Sequence, residues 1–386
     1  MPNYPRTLKS ILAMSEKIYQ KLAKHLDNLP GGFPATDTGV EIRILKRLFT
    51  PEEAEFALYL TLIPEESRVV AMRAKISVQE ASRRLEAMAQ KGLIYRIGSK
   101  TGEPKYMALQ YAIGIWEFHV NDLDQGLVKD MGEYAPILFN QAWKKPQLRT
   151  IPVNKSLSNK LTVMTYENAE ELVAHVRKSV VAPCICRREL GLLGQGCDKP
   201  IETCLVFDGG AEYYLRNGLG REIGQQEVLD ILKIAEESGL VLQPSNAKEI
   251  VNICCCCGDC CGVLRNLKHY PKPASLASSP FFAVIDAEAC IGCGVCEDRC
   301  QMEAIQLVDD NASIDKDRCI GCGLCVSTCP TDSLSLARKP EYEQPDIPGD
   351  LIKASIELGR ARGKLNTGNL LMMQLKSKVD RLLASG

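Results

Sequence analysis

Two consecutive copies of one short cysteine pattern constrain this chain more than anything else in it. The first runs Cys290-Ile-Gly-Cys293-Gly-Val-Cys296-Glu-Asp-Arg-Cys300, the second Cys319-Ile-Gly-Cys322-Gly-Leu-Cys325-Val-Ser-Thr-Cys329-Pro330. Intervals of two, two and three residues suit a cubane iron–sulfur cluster. Three thiolates on one tight loop reach three irons, and the fourth, leaving on the following helix, turns towards a different cluster. Exchange between the copies then completes two [4Fe–4S] sets: Cys290, Cys293, Cys296 and Cys329 in one, Cys319, Cys322, Cys325 and Cys300 in the other. The intervening Gly292, Gly294, Gly321 and Gly323 let each loop wrap an inorganic core and leave amides free to point at sulfur. Zinc ribbons also use paired cysteines, but they do not need the third and fourth at this interval.

The rest of the composition agrees with metal in a reducing compartment. All eighteen cysteines lie between Cys184 and Cys329, and the first 183 residues have none. Clustering of this kind argues against a disulfide scaffold. A length of 386 residues allows two to four domains with real cores, and a net charge of −1 offers no global field for nucleic acid or anionic membrane. No window approaches a membrane span, and the amino terminus lacks an apolar core with a small-residue cleavage site. The expectation is a cytoplasmic protein, with an anaerobic setting for oxygen-sensitive clusters.

Towards the amino terminus, Leu8, Ile11, Leu12, Ile18, Tyr19, Leu22 and Leu26 form a helical stripe that stops at Leu29-Pro30-Gly31-Gly32. Thr50-Pro51-Glu52-Glu53 is a capping box opening a helix to about Leu62, and a second helix follows Pro64. Ser77-Val78-Gln79-Glu80 opens a third, with Val78, Ala81, Leu85 and Met88 inward and Gly92 as its stop. Leu93–Ile97 and Tyr106–Leu109 read as strands across a turn at Ser99–Gly102. This order is that of a winged helix-turn-helix. Arg68 to Lys105 holds nine Lys/Arg against three Glu, with Arg83 and Arg84 on the candidate recognition helix and Arg96 and Lys100 on the wing. DNA is one partner this predicts. A scaffold or protein-docking module is the other, and is preferred.

Pro146 to Val153 reads as extended and Glu167–Lys178 as helical. Ser179–Ala182 then leads, strand-like, into a second cysteine field: Cys184, Cys186, Cys197, Cys204 and Cys254-Cys255-Cys256-Cys257-Gly258-Asp259-Cys260-Cys261. A helix with Val228, Leu232 and Ala235 on one face and Gly239 as its cap intervenes. Cys254, Cys257 and Cys260 repeat the two-residue interval of a cluster loop, with a fourth ligand from Cys184, Cys186, Cys197 or Cys204. A third iron–sulfur cluster is the expectation, zinc the alternative. Ten thiols also suffice for two clusters, or for one beside a redox-active dithiol. Arg187 and Arg188 are placed to offset negative charge, or simply to face solvent.

Phe281–Ile285 reads as the first strand of the carboxy-terminal module, and Ala304–Val308 and Ser313–Ile314 as a hairpin around Asp309-Asp310-Asn311. Segment 281–339 holds ten acidic and five basic residues, whereas the tail 351–386 holds seven basic and two acidic. Leu371, Leu375, Val379 and Leu382 recur along that tail at helical spacing. It is expected to pack back on the acidic module, rather than to act as a docking or membrane-surface helix.

The stretch Cys290–Pro330 resembles the two-cluster bacterial-type ferredoxin module, with Gln301 where the first copy would usually carry proline. Beyond it, Leu29-Pro30-Gly31-Gly32-Phe33, Leu48-Phe49-Thr50-Pro51-Glu52-Glu53, Ala182-Pro183-Cys184-Ile185-Cys186-Arg187-Arg188, Gly196-Cys197-Asp198-Lys199-Pro200 and Ile253–Cys261 are similar to a broader group of anaerobe ferredoxin-type iron–sulfur proteins. That resemblance implies cluster binding and electron carrying, and names no substrate. Asp259 stands where relatives carry another thiol.

The expected architecture is a multidomain α+β protein. Its parts are an N-terminal helix (1–40), a winged helix-turn-helix (41–120), a cysteine-rich α+β domain (121–270), a ferredoxin-like 2[4Fe–4S] domain (271–345) and a helical tail (346–386). The expected function is single-electron transfer to or from a partner oxidoreductase. The alternatives are an oxidoreductase with a cysteine-rich catalytic centre fed by the ferredoxin pair, and a redox-sensing winged-helix regulator. No dinucleotide fingerprint stands after a strand, so neither flavin nor nicotinamide is expected.

Overall fold

The computed structural model describes residues 6–98, 102–158 and 161–384. The chain is mixed helix and sheet and divides into two compact units, residues 1–144 with 355–386, and residues 145–354. This division is coarser than five segments, and it assigns helix Gln125–Ala142 to the first unit. That helix carries Pro136 within it. Asp124 caps its start, accepting from Gly126 N at 2.6 Å and Leu127 N at 2.8 Å. Buried Asp130 then takes Arg43 Nε at 3.0 Å and Arg47 Nε at 2.7 Å from helix Val40–Leu48.

In the first unit, helix Arg6–Asp27 ends before the Pro-Gly-Gly breaker. Phe33 beyond it packs edge-on to Tyr111 (4.9 Å between ring centres) and against Tyr134 (5.0 Å). The Thr50 box is formed as its residues dictate, with Thr50 Oγ1 accepting from Glu53 N (3.2 Å) and Glu53 Oε2 from Thr50 N (2.9 Å). Its helix, Pro51–Ala57, stops short of Leu62. Next come strand β1 (Glu65–Glu66), helices Ser67–Ala74 and Val78–Gln90, and strands β2 (Tyr95–Ile97) and β3 (Lys105–Met107), in an antiparallel sheet ordered β1-β3-β2. Ala81, Leu85 and Met88 are buried, but Val78 is 45% exposed. Helical side chains lean towards the helix start, so a first-turn residue has no earlier turn to lie over. Lys100, expected on the wing, lies outside the described residues.

The tail forms helices Leu351–Ala361 and Thr367–Leu383, and its polar anchors are in the first unit. Arg362 donates to Leu29 O (2.8 Å) and Asp27 Oδ1 (2.6 Å), and Lys364 to Asp27 Oδ2 (2.6 Å). Gly32 has a φ of +74°, and a side chain there would strike the Arg362 guanidinium. Ser377 and Asp380 of the last helix are buried, whereas Leu371, Leu375, Val379 and Leu382 are exposed. The expected inward stripe therefore faces out. Buried Glu65 accepts from Ser377 Oγ (2.7 Å), and Arg73 Nε meets Asp380 Oδ2 at 2.7 Å, which turns the polar face inward.

The second unit is built on an antiparallel five-stranded sheet of β4 (Ser179–Pro183), β5 (Glu202–Phe207), β6 (Arg221–Ile223), β7 (Val241–Pro244) and β8 (Asn252–Cys256), ordered β6-β4-β5-β8-β7. Strands β4 and β8 flank β5 and run opposite to it. Their carboxy ends therefore meet the amino end of β5. Cys184 follows β4, Cys204 stands third in β5 opposite Cys254, and Cys256 closes β8. Cysteines distant in sequence thus collect at one end of the sheet. Beyond it, β9 (Phe281–Ile285) pairs antiparallel with β12 (Leu334–Arg338), and β10 (Ile305–Val308) forms a hairpin with β11 (Asn311–Ile314). The two-residue hairpin turn puts Asp309 (φ 50°) and Asp310 (φ 60°) in the left-handed region, as a type I′ turn requires.

Candidate metal centres

Each cysteine loop of the carboxy-terminal module closes over a cavity. One is lined by Cys290, Cys293, Cys296 and Cys329 together with Ile291 and Val295. The other is lined by Cys300, Cys319, Cys322 and Cys325 together with Met302 and Ile320. Each wall thus takes three thiols from one copy of the pattern and the last thiol from the other. The loops can bend so tightly because Gly292 and Gly321 adopt φ values of 65° and 68°. A side chain on either would run into a carbonyl, of Asp310 or Phe281 respectively.

Backbone and side-chain donors point at these sulfurs. Ala304 N lies 3.2 Å from Cys300 Sγ and Ala283 N lies 3.3 Å from Cys319 Sγ. The Cys329 sulfur lies 3.2 Å from Ser333 Oγ. Burial works against ionisation of Cys329, but the Ser333 hydroxyl and the amides of Thr331 and Leu334 bring its thiol down to about 7. Burial pushes Cys322 up to about 12 and Cys325 well up. Buried thiols of this kind become thiolates when a metal supplies the compensating charge. An all-sulfur donor set of four thiols, with amides aimed at its sulfurs, fits iron–sulfur clusters.

Gln301, the departure from the proline pattern, has a second contact. Its Oε1 accepts from Gly258 N at 2.7 Å, tying the central cysteine turn to the residue after Cys300. Lys268 Nζ and Glu303 Oε1, 2.9 Å apart, brace the same junction.

The ten central cysteines separate into groups that sequence spacing does not show. Cys197, Cys257 and Cys260 bring their sulfurs within 4.8 Å of one another. Cys254 is not among them. As β8 ends at Cys256 the chain turns, and Cys254, on the strand before that turn, hydrogen-bonds Cys204 and Cys256 instead. Cys261 in turn contacts Cys256 and Cys186, and Cys186 contacts Cys184. Six sulfurs therefore form one continuous string, Cys204, Cys254, Cys256, Cys261, Cys186 and Cys184. Along it, hydrogen bonds accepted from neighbouring thiols push Cys254 and Cys261 well down, while Cys256 and Cys186, which donate, are pushed well up. Cys255 is buried, and burial pushes its thiol up.

Between the groups lies Arg187, only 4% exposed. Its guanidinium donates to Pro200 O (2.8 Å), Thr203 Oγ1 (2.6 Å) and Cys255 O (2.8 Å), and it lies beside the thiols of Cys184, Cys256 and Cys257. Among the described residues no carboxylate pairs with it. The solvent-facing reading of this arginine is therefore corrected: its surroundings are sulfur. The signal in the sequence was its place directly after Cys186, and nothing there showed burial.

A family model described as a 4Fe-4S dicluster domain matches residues 283–336, taking in both cysteine loops. The segment is a 4Fe–4S ferredoxin-type module. No curated protein and no solved structure matches the chain. Among the described residues no helix is long and apolar enough to cross a membrane.

Proposed function

We propose that the chain passes single electrons through two [4Fe–4S] clusters to or from a partner oxidoreductase. One observation carries the reading: two cavities in a dicluster domain, each walled by four thiols drawn from both copies of the pattern. Cys290, Cys293, Cys296 and Cys329 would hold one cluster and Cys319, Cys322, Cys325 and Cys300 the other. Bound there, the clusters supply one-electron exchange at potentials tuned by hydrogen bonds to their sulfurs. The amides of Ala283 and Ala304 favour added negative charge on the Cys319 set, and so its reduced form.

The two sets differ in their access to a partner. Cys293 is exposed and stands among Ile291 (65% exposed), Val295 and Leu307, whereas Cys319 and Cys325 are buried. The Cys290 set is thus the place of exchange, with an apolar rim for contact and the acidic surface of residues 281–339 to attract a basic partner.

A specific observation favours a second reading, an oxidoreductase with its chemistry at the central cysteines. The six-thiol string is contiguous, close-packed and in the same compact unit as the dicluster domain. The winged-helix regulator has support in the order β1-β3-β2 with two helices before β2. Three of its candidate contact cations, however, are engaged. Glu80 holds Arg83 and Arg84 at 2.8 and 2.6 Å, and Glu86 holds Arg96 at 3.1 Å. A scaffold or docking role suits that region better.

The test is anaerobic purification of the full chain, with iron and acid-labile sulfide counts and EPR after reduction. At least about eight irons are expected. Cys300→Ala should abolish or convert the cluster of Cys319, Cys322 and Cys325 and leave the other signal in place. Loss confined to the Cys290 set would overturn the exchanged ligand sets, and protein without labile sulfide would overturn the electron-transfer reading.

A further inference from the structure

The spacing of sulfurs separates two kinds of metal chemistry. In a cubane each thiolate sits on its own iron at its own corner, so the four surround a volume. Thiolates sharing one ion converge on a point. With metal–sulfur bonds of about 2.3 Å in a tetrahedron, the sulfurs of a zinc site lie about 3.8 Å apart. The chain contains both situations. The cysteines of the dicluster domain stand in two sets of four around separate concavities, and neither set draws three sulfurs within 4.8 Å of one another. Cys197 Sγ and Cys257 Sγ are 3.7 Å apart, and Cys260 closes a triangle with no sulfur–sulfur distance above 4.8 Å. Among the described residues this is the one group of three or more His, Cys, Asp or Glu drawn so close.

We propose that Cys197, Cys257 and Cys260 bind a single divalent ion of the zinc class, with the fourth position open to an exchangeable ligand. Three thiolates and a divalent ion leave one net negative charge. Arg187, buried beside Cys257 and with no carboxylate partner among the described residues, supplies the opposite charge. A guanidinium buried without an anion is strongly disfavoured, and a thiolate–metal unit beside Cys257 meets it. No fourth protein ligand joins the triad among the described residues. Cys197 lies on a loop whose neighbours Gln195, Gly196 and Asp198 are exposed, so water or a small external ligand reaches the open side. This ion would also pin the loop between β4 and β5 to the turn that follows β8.

The proposal is independent of the electron-transfer reading, and its test keeps the two apart. Full-length protein purified from zinc-replete medium is assayed for zinc, iron and sulfide, and its zinc-edge X-ray absorption is recorded. About one zinc per chain is expected, with three sulfurs at about 2.3 Å and one lighter atom. Cys197→Ser should lower zinc more than tenfold and leave the EPR signals of the dicluster domain unchanged. A loss of about four irons in that variant, with no zinc in the parent, would show a cubane and overturn the proposal. Four sulfurs around zinc, or a metal content indifferent to Cys197, would overturn it equally. Should Cys197→Ser fail to fold, cobalt(II) loading of the unaltered chain decides. Intense tetrahedral d–d bands with thiolate charge transfer support the triad, and weak octahedral bands or none refute it.

Discussion

Gln301 shows how much one side chain can do outside the pattern that marks its position. Proline there would stiffen the loop after Cys300. Glutamine instead accepts the Gly258 amide at 2.7 Å and couples the central cysteine turn to the dicluster domain. Removing the acceptor leaves a half-buried N–H without a partner, at a cost of about 1–3 kcal/mol. Gln301→Ala should therefore speed amide exchange at Gly258 and Cys260 at least tenfold, while the dicluster EPR signals persist. Unchanged exchange would mean that the bond contributes nothing in solution. Arg187 shows the opposite case, a charged side chain that looks superficial in sequence and is buried among sulfurs. Its position next to Cys186 was visible, but its environment required β5 and β8 to be in place.

At the scale of elements, strand alternation and helix faces decide which residues meet. The interval shared by Cys254, Cys257 and Cys260 suggests one loop. Strand β8 runs through Cys256, so Cys254 belongs to the sheet while Cys257 and Cys260 belong to the turn. The last helix inverts its apparent amphipathicity for a comparable reason. The carboxylate of Glu65 is 1% exposed and takes both Arg73 Nη atoms, at 2.6 and 2.8 Å, as well as the Ser377 hydroxyl. A buried charge must be met, and meeting it draws in the helix face that carries Ser377 and Asp380. Arg73→Met should cost about 3–5 kcal/mol by stranding the Glu65 carboxylate. It should be read as a lowered melting temperature and faster proteolysis near Asn366, and Glu65→Gln in the same chain should recover part of the loss. A variant as stable and as protease-resistant as the parent would show that the polar face does not hold the tail.

For the whole molecule, the sum of charges says less than their pairing. The nine Lys/Arg between Arg68 and Lys105 look like a nucleic-acid footprint in sequence. In the structure Arg73, Arg83, Arg84, Lys91, Arg96 and Lys105 all have carboxylate partners. Duplex DNA should accordingly bind weakly, without sequence preference, and with a shallow dependence on salt. A complex about 10³-fold tighter than random duplex would reinstate the regulator.

What the sequence determined by itself was chemistry confined to short windows. Ligands two and three residues apart reach one core whatever surrounds them, and Thr50 with Glu53 caps a helix by contacts within four residues. The hairpin at Asp309-Asp310, the breaker after Asp27 and the acidic bias of residues 281–339 are legible for the same reason. Tertiary structure alone decided what depends on juxtaposition. Cys197 and Cys257 are 60 residues apart in the chain, and their sulfurs meet at 3.7 Å because antiparallel strands return the chain to one end of a sheet. No local periodicity encodes that return. It follows from which strands pair, and pairing is settled by packing over the whole unit.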